Sequence, residues 1–79
     1  MNLPKLVTMA NQIASFFATD PDRKAGVAST ANHIQKFWEP RMRKELLAGF
    51  DAGRCEGLHE LVVAAVTEHR AQLEPIAVG

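Results

Sequence analysis

A short run, residues 37–43, collects the residue types of this 79-residue chain that are best suited to binding chemistry. It holds the only tryptophan of the chain, a proline and two arginines. Trp and Arg are enriched among the residues that dominate binding energy at protein interfaces, because they combine a large contact area with directed hydrogen bonds. We therefore predict a partner-binding site whose residues are His33, Phe37, Trp38, Pro40, Arg41 and Arg43.

The tryptophan also has a structural interpretation, because large aromatic side chains are mostly buried and a small helical domain needs a core anchor. The residue types alone leave both interpretations of Trp38 open. For the interface we adopt the hypothesis that Phe37 anchors the core while Arg41, Arg43 and part of Trp38 face outward. Reversing the two arginine charges would then weaken partner binding and leave the fold nearly intact.

Combinations of residues that could carry catalysis or bind a metal are sparse. Cys55 and His59 are four residues apart near a helix start, but no third residue is in place to orient the histidine. The sequence after His59 is not an HExxH zinc motif, because position 63 is valine. The three histidines and one cysteine match no zinc-ligand spacing, and no glycine-rich loop follows a predicted strand. We predict a protein that is not an enzyme and holds no cofactor or metal.

Apolar residues recurring every three or four positions predict an all-α fold, one domain over residues 1–79 built from about four short helices. Asn2 and Asp20 are predicted N-caps, and Pro4 and Pro21 fall in first turns, where a missing N–H does no harm. Glu39 precedes a proline and is predicted to be a helix boundary. The predicted helices span residues 3–18, 21–38, 40–52 and 58–73, with residues 76–79 as a loose tail.

The same periodicity predicts which side chains face inward. In the first two helices these are Leu6, Met9, Ala10, Ile13, Phe16, Phe17, Val27, Ala31, Ile34, Phe37 and Trp38. In the last two they are Met42, Leu46, Leu47, Phe50, Leu61, Val62, Ala65, Val66 and Leu73, and Gly53 is expected to end the third helix.

Composition and charge narrow the function classes. Nine basic residues balance nine acidic ones, which argues against a nucleic-acid binder. The charges are unevenly distributed, with six basic residues against one acidic in 23–44, and six acidic against two basic in 45–79. Such asymmetry orients a partner or joins the two halves of the chain. A single cysteine, no signal-peptide pattern and no apolar run of membrane-spanning length predict a cytoplasmic protein without membrane attachment.

Two segments together resemble a known family. Residues 9–17 (MANQIASFF) and 31–43 (ANHIQKFWEPRMR) look like the delta subunit of bacterial NAD-dependent formate dehydrogenase, a molybdenum or tungsten enzyme. The resemblance implies an accessory subunit without cofactors of its own, whose partners are the larger catalytic subunits. It implies a role in assembling or stabilising the complex, or in inserting the metal-pterin cofactor. The basic residues Lys36, Arg41, Arg43 and Lys44 would then pair with a subunit's carboxylates or with the phosphates of the pterin.

Two other function classes stay open. One is a free-standing regulatory or nucleic-acid-binding helical domain, which would use the basic residues of 23–44 on phosphates. The other is a self-associating structural domain, which an exposed patch of Phe16, Phe17 and Trp38 would favour.

Overall fold

Five helices follow one another in the computed structural model, which describes residues 2–75 and has no strand in that range. The helices are α1 (Leu3–Phe17), α2 (Arg23–Phe37), α3 (Pro40–Asp51), α4 (Glu60–Glu68) and α5 (Arg70–Leu73). The all-α class is therefore confirmed. The predicted loose tail, residues 76–79, lies outside the described residues.

The first helix begins as its sequence predicts. The Asn2 side chain accepts a hydrogen bond from the Lys5 amide at 3.2 Å, and Pro4 lies in the first turn. The second helix begins two residues later than predicted, because Asp22 and not Asp20 is its N-cap. Asp22 accepts from the amides of Lys24 and Ala25, whereas the Asp20 carboxylate accepts from the Asp22 amide at 2.8 Å. Asp20 thus stabilises the turn that precedes the helix.

The predicted boundary at Glu39 is confirmed. Trp38 and Glu39 have extended backbone, with ψ of 137° and 150°, between the end of α2 and the start of α3 at Pro40. This is the conformation that a following proline ring imposes on its neighbour. At the other end of α3, Gly53 has a φ of +70° and its amide donates to the Phe50 carbonyl, while the Arg54 amide donates to that of Gly49. These two bonds form a Schellman motif, for which glycine is the favoured residue.

The predicted fourth helix is divided at His69, whose φ and ψ of −122° and 32° are not helical. The first part, α4, is capped by the His59 ring, which accepts from the Leu61 amide at 3.0 Å. After the break, the single turn of α5 places Leu73 in the core and Arg70 against Asp51 on α3. Apolar periodicity continues through the break, so it could not reveal this change of direction.

A loop between α3 and α4 is fastened to the first helix by one side chain. The Asn11 amide group donates to the Gly57 carbonyl and accepts from the His59 amide, both at 2.8 Å. These partners lie 46 and 48 residues further along the chain. One side chain therefore satisfies two backbone groups of the loop, which would otherwise need other partners.

The core lies where α2 packs against α1, α4 and α5, and where α3 packs against α1. Its apolar members, all buried, are Leu6, Val7, Ala10, Ala14, Val27, Ala31, Ile34, Trp38, Leu46, Leu47, Leu61, Val62, Ala64, Ala65, Val66 and Leu73. The inward positions predicted for the third and fourth helices are confirmed, with Met42 and Phe50 partly buried against this core.

Gly26 allows the first and second helices to approach closely. A Cβ atom at this position would lie 2.9 Å from the carbonyl oxygen of Phe17, the last residue of α1. Real Cβ atoms essentially never approach that closely, so only glycine fits without a shift of the backbone. The end of α1 is thereby held against the first turn of α2.

Candidate interaction surface

Four ring-bearing side chains form a continuous row across α1 and α2, which we call the aromatic surface: Phe16, Phe17, His33 and Phe37. Ring centroids are 5.1 Å apart from Phe16 to Phe17, 5.9 Å from Phe17 to His33, and 4.6 Å from His33 to Phe37. Phe16 is 70% exposed and Phe37 is 72% exposed, while the two rings between them are partly buried. Large apolar residues gathered on a surface mark interaction sites.

The inward orientation predicted for Phe16 and Phe37 is wrong. Successive residues of a helix point about 100° apart, so two adjacent large side chains at a helix end can be divided between the core and the solvent. At the end of α1, the buried Ala14 and the half-buried Phe17 face the core instead of Phe16. At the end of α2, Trp38 fills the core instead of Phe37. Phe16 and Phe37 are left on the solvent side.

Trp38 itself is a core residue, because only 6% of it is exposed. It belongs to a second region, residues 38–43, which we call the Trp38 corner. Within this corner Arg43 is half-buried, and its Nη1 donates to the Leu73 carbonyl at 3.4 Å, a long hydrogen bond. The Arg43 Nε is buried and has no hydrogen-bond partner among residues 2–75. The structural interpretation of Trp38 is therefore the correct one for the isolated chain.

The six residues predicted to bind a partner are thus divided between two regions. His33 and Phe37 meet ring to ring on the aromatic surface. Trp38 and Arg43 lie inside the corner, contrary to the outward orientation expected for them. Pro40 and Arg41 are exposed at the start of α3. Their role in binding stays a prediction.

Phe16 and Phe17 complete the aromatic surface and were not among those six residues. A signal for them was present in the sequence, because Phe16-Phe17 and Phe37-Trp38 are both adjacent pairs of large aromatics at the end of a predicted helix. One ring of such a pair is readily left on the solvent side. The sequence did not reveal that the two exposed ends would lie side by side.

Two shallow recesses flank the contact between Phe17 and His33. The first, of about 310 Å³, is lined by Gln12, Ile13, Phe16, Phe17 and His33. The second, of about 260 Å³, is lined by Phe17, Ser29, Asn32, His33, Lys36 and Phe37. Their linings contain one charged side chain, Lys36, and no carboxylate.

Ion pairs join α2 to α4 and α3 to α5. Arg23 on α2 pairs with Glu60 on α4 at 2.9 Å, and both side chains are exposed. Arg70 donates two hydrogen bonds to Asp51, at 2.7 and 2.6 Å, and one to Glu74 at 2.9 Å. The Arg70 guanidinium lowers the pKa of the Asp51 carboxyl, and both carboxylates raise the pKa of Arg70. The Arg23–Glu60 pair therefore joins the basic part of the chain to the acidic part within the fold.

Cys55 and His59 are engaged separately. The half-buried Cys55 Sγ donates to the Leu46 carbonyl at 3.9 Å, and desolvation by burial raises the pKa of the thiol, which disfavours the reactive thiolate. The His59 Nδ1 is occupied as the cap of α4.

Among residues 2–75, no group of three or more His, Cys, Asp or Glu side chains is placed to hold a metal ion. None of the helices in that range combines the length and apolar character needed to cross a bilayer.

Comparison with known proteins assigns the chain to a family. Residues 5–66 match the family model described as the NADH-dependent formate dehydrogenase delta subunit FdsD. The match includes all four residues of the aromatic surface and the whole Trp38 corner. Neither the curated proteins nor the solved structures that were searched contain a match. Because the matched segment covers most of the 79 residues, the chain belongs to the NADH-dependent formate dehydrogenase delta subunit family.

Proposed function

We propose that this chain is a non-catalytic, cytoplasmic accessory subunit that assembles or stabilises a formate dehydrogenase complex by docking on a larger catalytic subunit. The family match supports association with formate dehydrogenase. The observation that carries the docking role is the aromatic surface, which leaves Phe16 and Phe37 largely in water in a chain of only 79 residues. Exposed aromatics are costly in a free protein and useful in a bound one.

The chemistry of the chain is consistent with this proposal. The most strongly engaged polar groups, Arg70, Asp51 and Asn11, bind other parts of the same chain. The thiol of Cys55 is held in its protonated form by burial. Formate oxidation and NAD reduction would then take place on the larger subunits, and this chain would supply contact area.

Affinity capture tests the docking role. The tagged chain is expressed in its native cells, and the captured proteins are identified by mass spectrometry. We expect a catalytic formate dehydrogenase subunit in stoichiometric amount. Its absence, when the tagged chain is folded and formate dehydrogenase activity is present in the lysate, would contradict the proposal.

Removing the chain from the cells distinguishes assembly from cofactor insertion. If the chain assembles or stabilises the complex, its loss lowers the amount of intact complex while each remaining catalytic subunit keeps its molybdenum or tungsten. A normal amount of complex with depleted metal would instead assign the chain to insertion of the metal-pterin cofactor. Native gel electrophoresis and metal analysis of the purified complex measure the two quantities.

A further inference from the structure

The exposed aromatic residues are concentrated in one place. In the range 2–75, three large hydrophobic residues are exposed: Phe16, Phe37 and the less exposed Val63 on α4, at 37%. The first two belong to the aromatic surface, where Phe17 and His33 connect them. A row of rings has more contact area than scattered apolar residues, and aromatic anchors dominate the energy of many interfaces.

The aromatic surface is one unbroken strip with a recess on either side. Its rings are 5.1, 5.9 and 4.6 Å apart, which are ordinary contact distances for aromatic pairs. The recess beside Phe16 and the recess beside Phe37 share the Phe17 and His33 rings as a common wall. Side chains three or four residues apart on an amphipathic helix enter neighbouring recesses of this kind.

The charge of the surface selects among partners. Lys36 is the charged side chain of the two linings, and no ion pair engages it among residues 2–75. Neither lining of a second copy offers Lys36 a carboxylate. Asp20 and Glu60 line a further recess beside Phe17, but there Glu60 pairs with Arg23 and Asp20 accepts from the Asp22 amide. A partner segment that carries Asp or Glu beside its apolar residues satisfies both the rings and the lysine.

We propose that the aromatic surface receives an amphipathic helix of a larger formate dehydrogenase subunit, with apolar side chains in the two recesses and a carboxylate facing Lys36. This inference rests on the proposed function and assigns its surface and the chemistry of its partner. The Trp38 corner then supports the surface from within and makes no direct contact with the partner helix.

Binding measurements with matched variants test the surface. The chain is co-expressed with the catalytic subunit that wild-type protein captures, and the affinity of each variant for that subunit is measured. We expect Phe16→Gln/Phe37→Gln to bind at least tenfold more weakly, because losing the aromatic anchors of an interface commonly costs about 1.4 kcal/mol or more. Val63→Gln, the same change at the exposed apolar residue on α4, should bind within twofold of wild type.

A second pair of variants tests the charge. Lys36→Glu should weaken binding several-fold and reduce its dependence on salt, since the lysine would no longer attract a carboxylate. Lys24→Glu makes the same change at the other end of α2 and should have little effect. Equal losses in the two variants would overturn the charge assignment.

A photoreactive amino acid in place of Phe37 identifies the occupant. Crosslinking to an acidic amphipathic segment of the catalytic subunit supports the proposal. Crosslinking to another copy of this chain, or concentration-dependent dimerisation that Phe16→Gln/Phe37→Gln abolishes, overturns it. If Phe16→Gln/Phe37→Gln is folded and binds the catalytic subunit like wild type, the aromatic surface is not the binding site, while the docking function stands. If wild-type protein captures no catalytic subunit, the docking function itself fails.

Discussion

Phe37 and Trp38 are neighbours in the chain and lie in opposite environments. Phe37 is 72% exposed and extends a row of rings over the surface, whereas Trp38 is 6% exposed and fills the core where α2 ends. One turn later Arg41 is exposed and Arg43 is half-buried against the Leu73 carbonyl. A compact motif can thus serve both folding and binding, because a helix end distributes adjacent side chains to opposite sides.

The largest difference in stability is expected between substitutions of Trp38 and of Phe37. Trp38→Ala should destabilise the fold by about 3–5 kcal/mol, because it leaves a large cavity in the core. This is as much as the stability of about 3–5 kcal/mol that a chain of this size commonly has, so the variant should be largely unfolded at 25 °C. Far-ultraviolet circular dichroism in increasing urea measures the loss.

Phe37→Ala is the matched control for that experiment. It should change the unfolding free energy by less than about 0.5 kcal/mol, because the ring already lies mostly in water. The fluorescence of Trp38, the only tryptophan, reports its unfolding transition directly. Equal destabilisation by the two substitutions would erase the distinction between the two regions.

A smaller difference is expected between the arginines. Arg43→Glu should destabilise the protein by about 1–2 kcal/mol, because it replaces a donor to the Leu73 carbonyl with a carboxylate that repels it. Arg41→Glu should remain within about 0.5 kcal/mol of wild type. Urea unfolding of the two single variants compares them. A fully stable Arg43→Glu variant would mean that Arg43 contributes no support to the corner.

The smallest effect is expected from the ion pair between Asp51 on α3 and Arg70 on α5. Because Arg70 lowers the pKa of Asp51 in the folded state, the carboxylate contributes stability above its unfolded pKa of about 4. That contribution is lost as the pH falls through the lower folded pKa. Melting temperatures between pH 7 and pH 2.5 should therefore fall less for Asp51→Asn than for wild type. Parallel curves for the two proteins would show that the pair adds no stability, as for many exposed pairs.

Apolar periodicity and proline chemistry were sufficient to predict the helices, the boundary at Glu39 and the inward residues of α3 and α4. The same sequence signals did not predict the N-cap of α2 or the break at His69. Asp20 and Asp22 are both acceptable caps around Pro21, and only the backbone geometry decides that Asp22 caps α2. The break at His69 is followed by tertiary contacts of Leu73 and Arg70, and periodicity encodes neither the break nor these contacts.

The candidate site was partly predictable for a related reason. His33 and Phe37 are four residues apart on one helix face, and their rings meet in the structure, although Phe37 had been expected to anchor the core. Phe16 and Phe17 join them only because Gly26 lets α2 lie against the end of α1. A contact between two helices is a property of their packing, so spacing within either helix could not reveal the full row.

The contact of Asn11 with the loop before α4 gives the molecule a built-in reporter of its own opening. The His59 amide precedes α4 and is held by the Asn11 side chain, not by a backbone carbonyl. Its hydrogen-exchange rate therefore reports the opening of the contact between the Asn11 side chain on α1 and the loop before α4. A partner bound across α1 and α2 should slow that exchange by holding α1 in place.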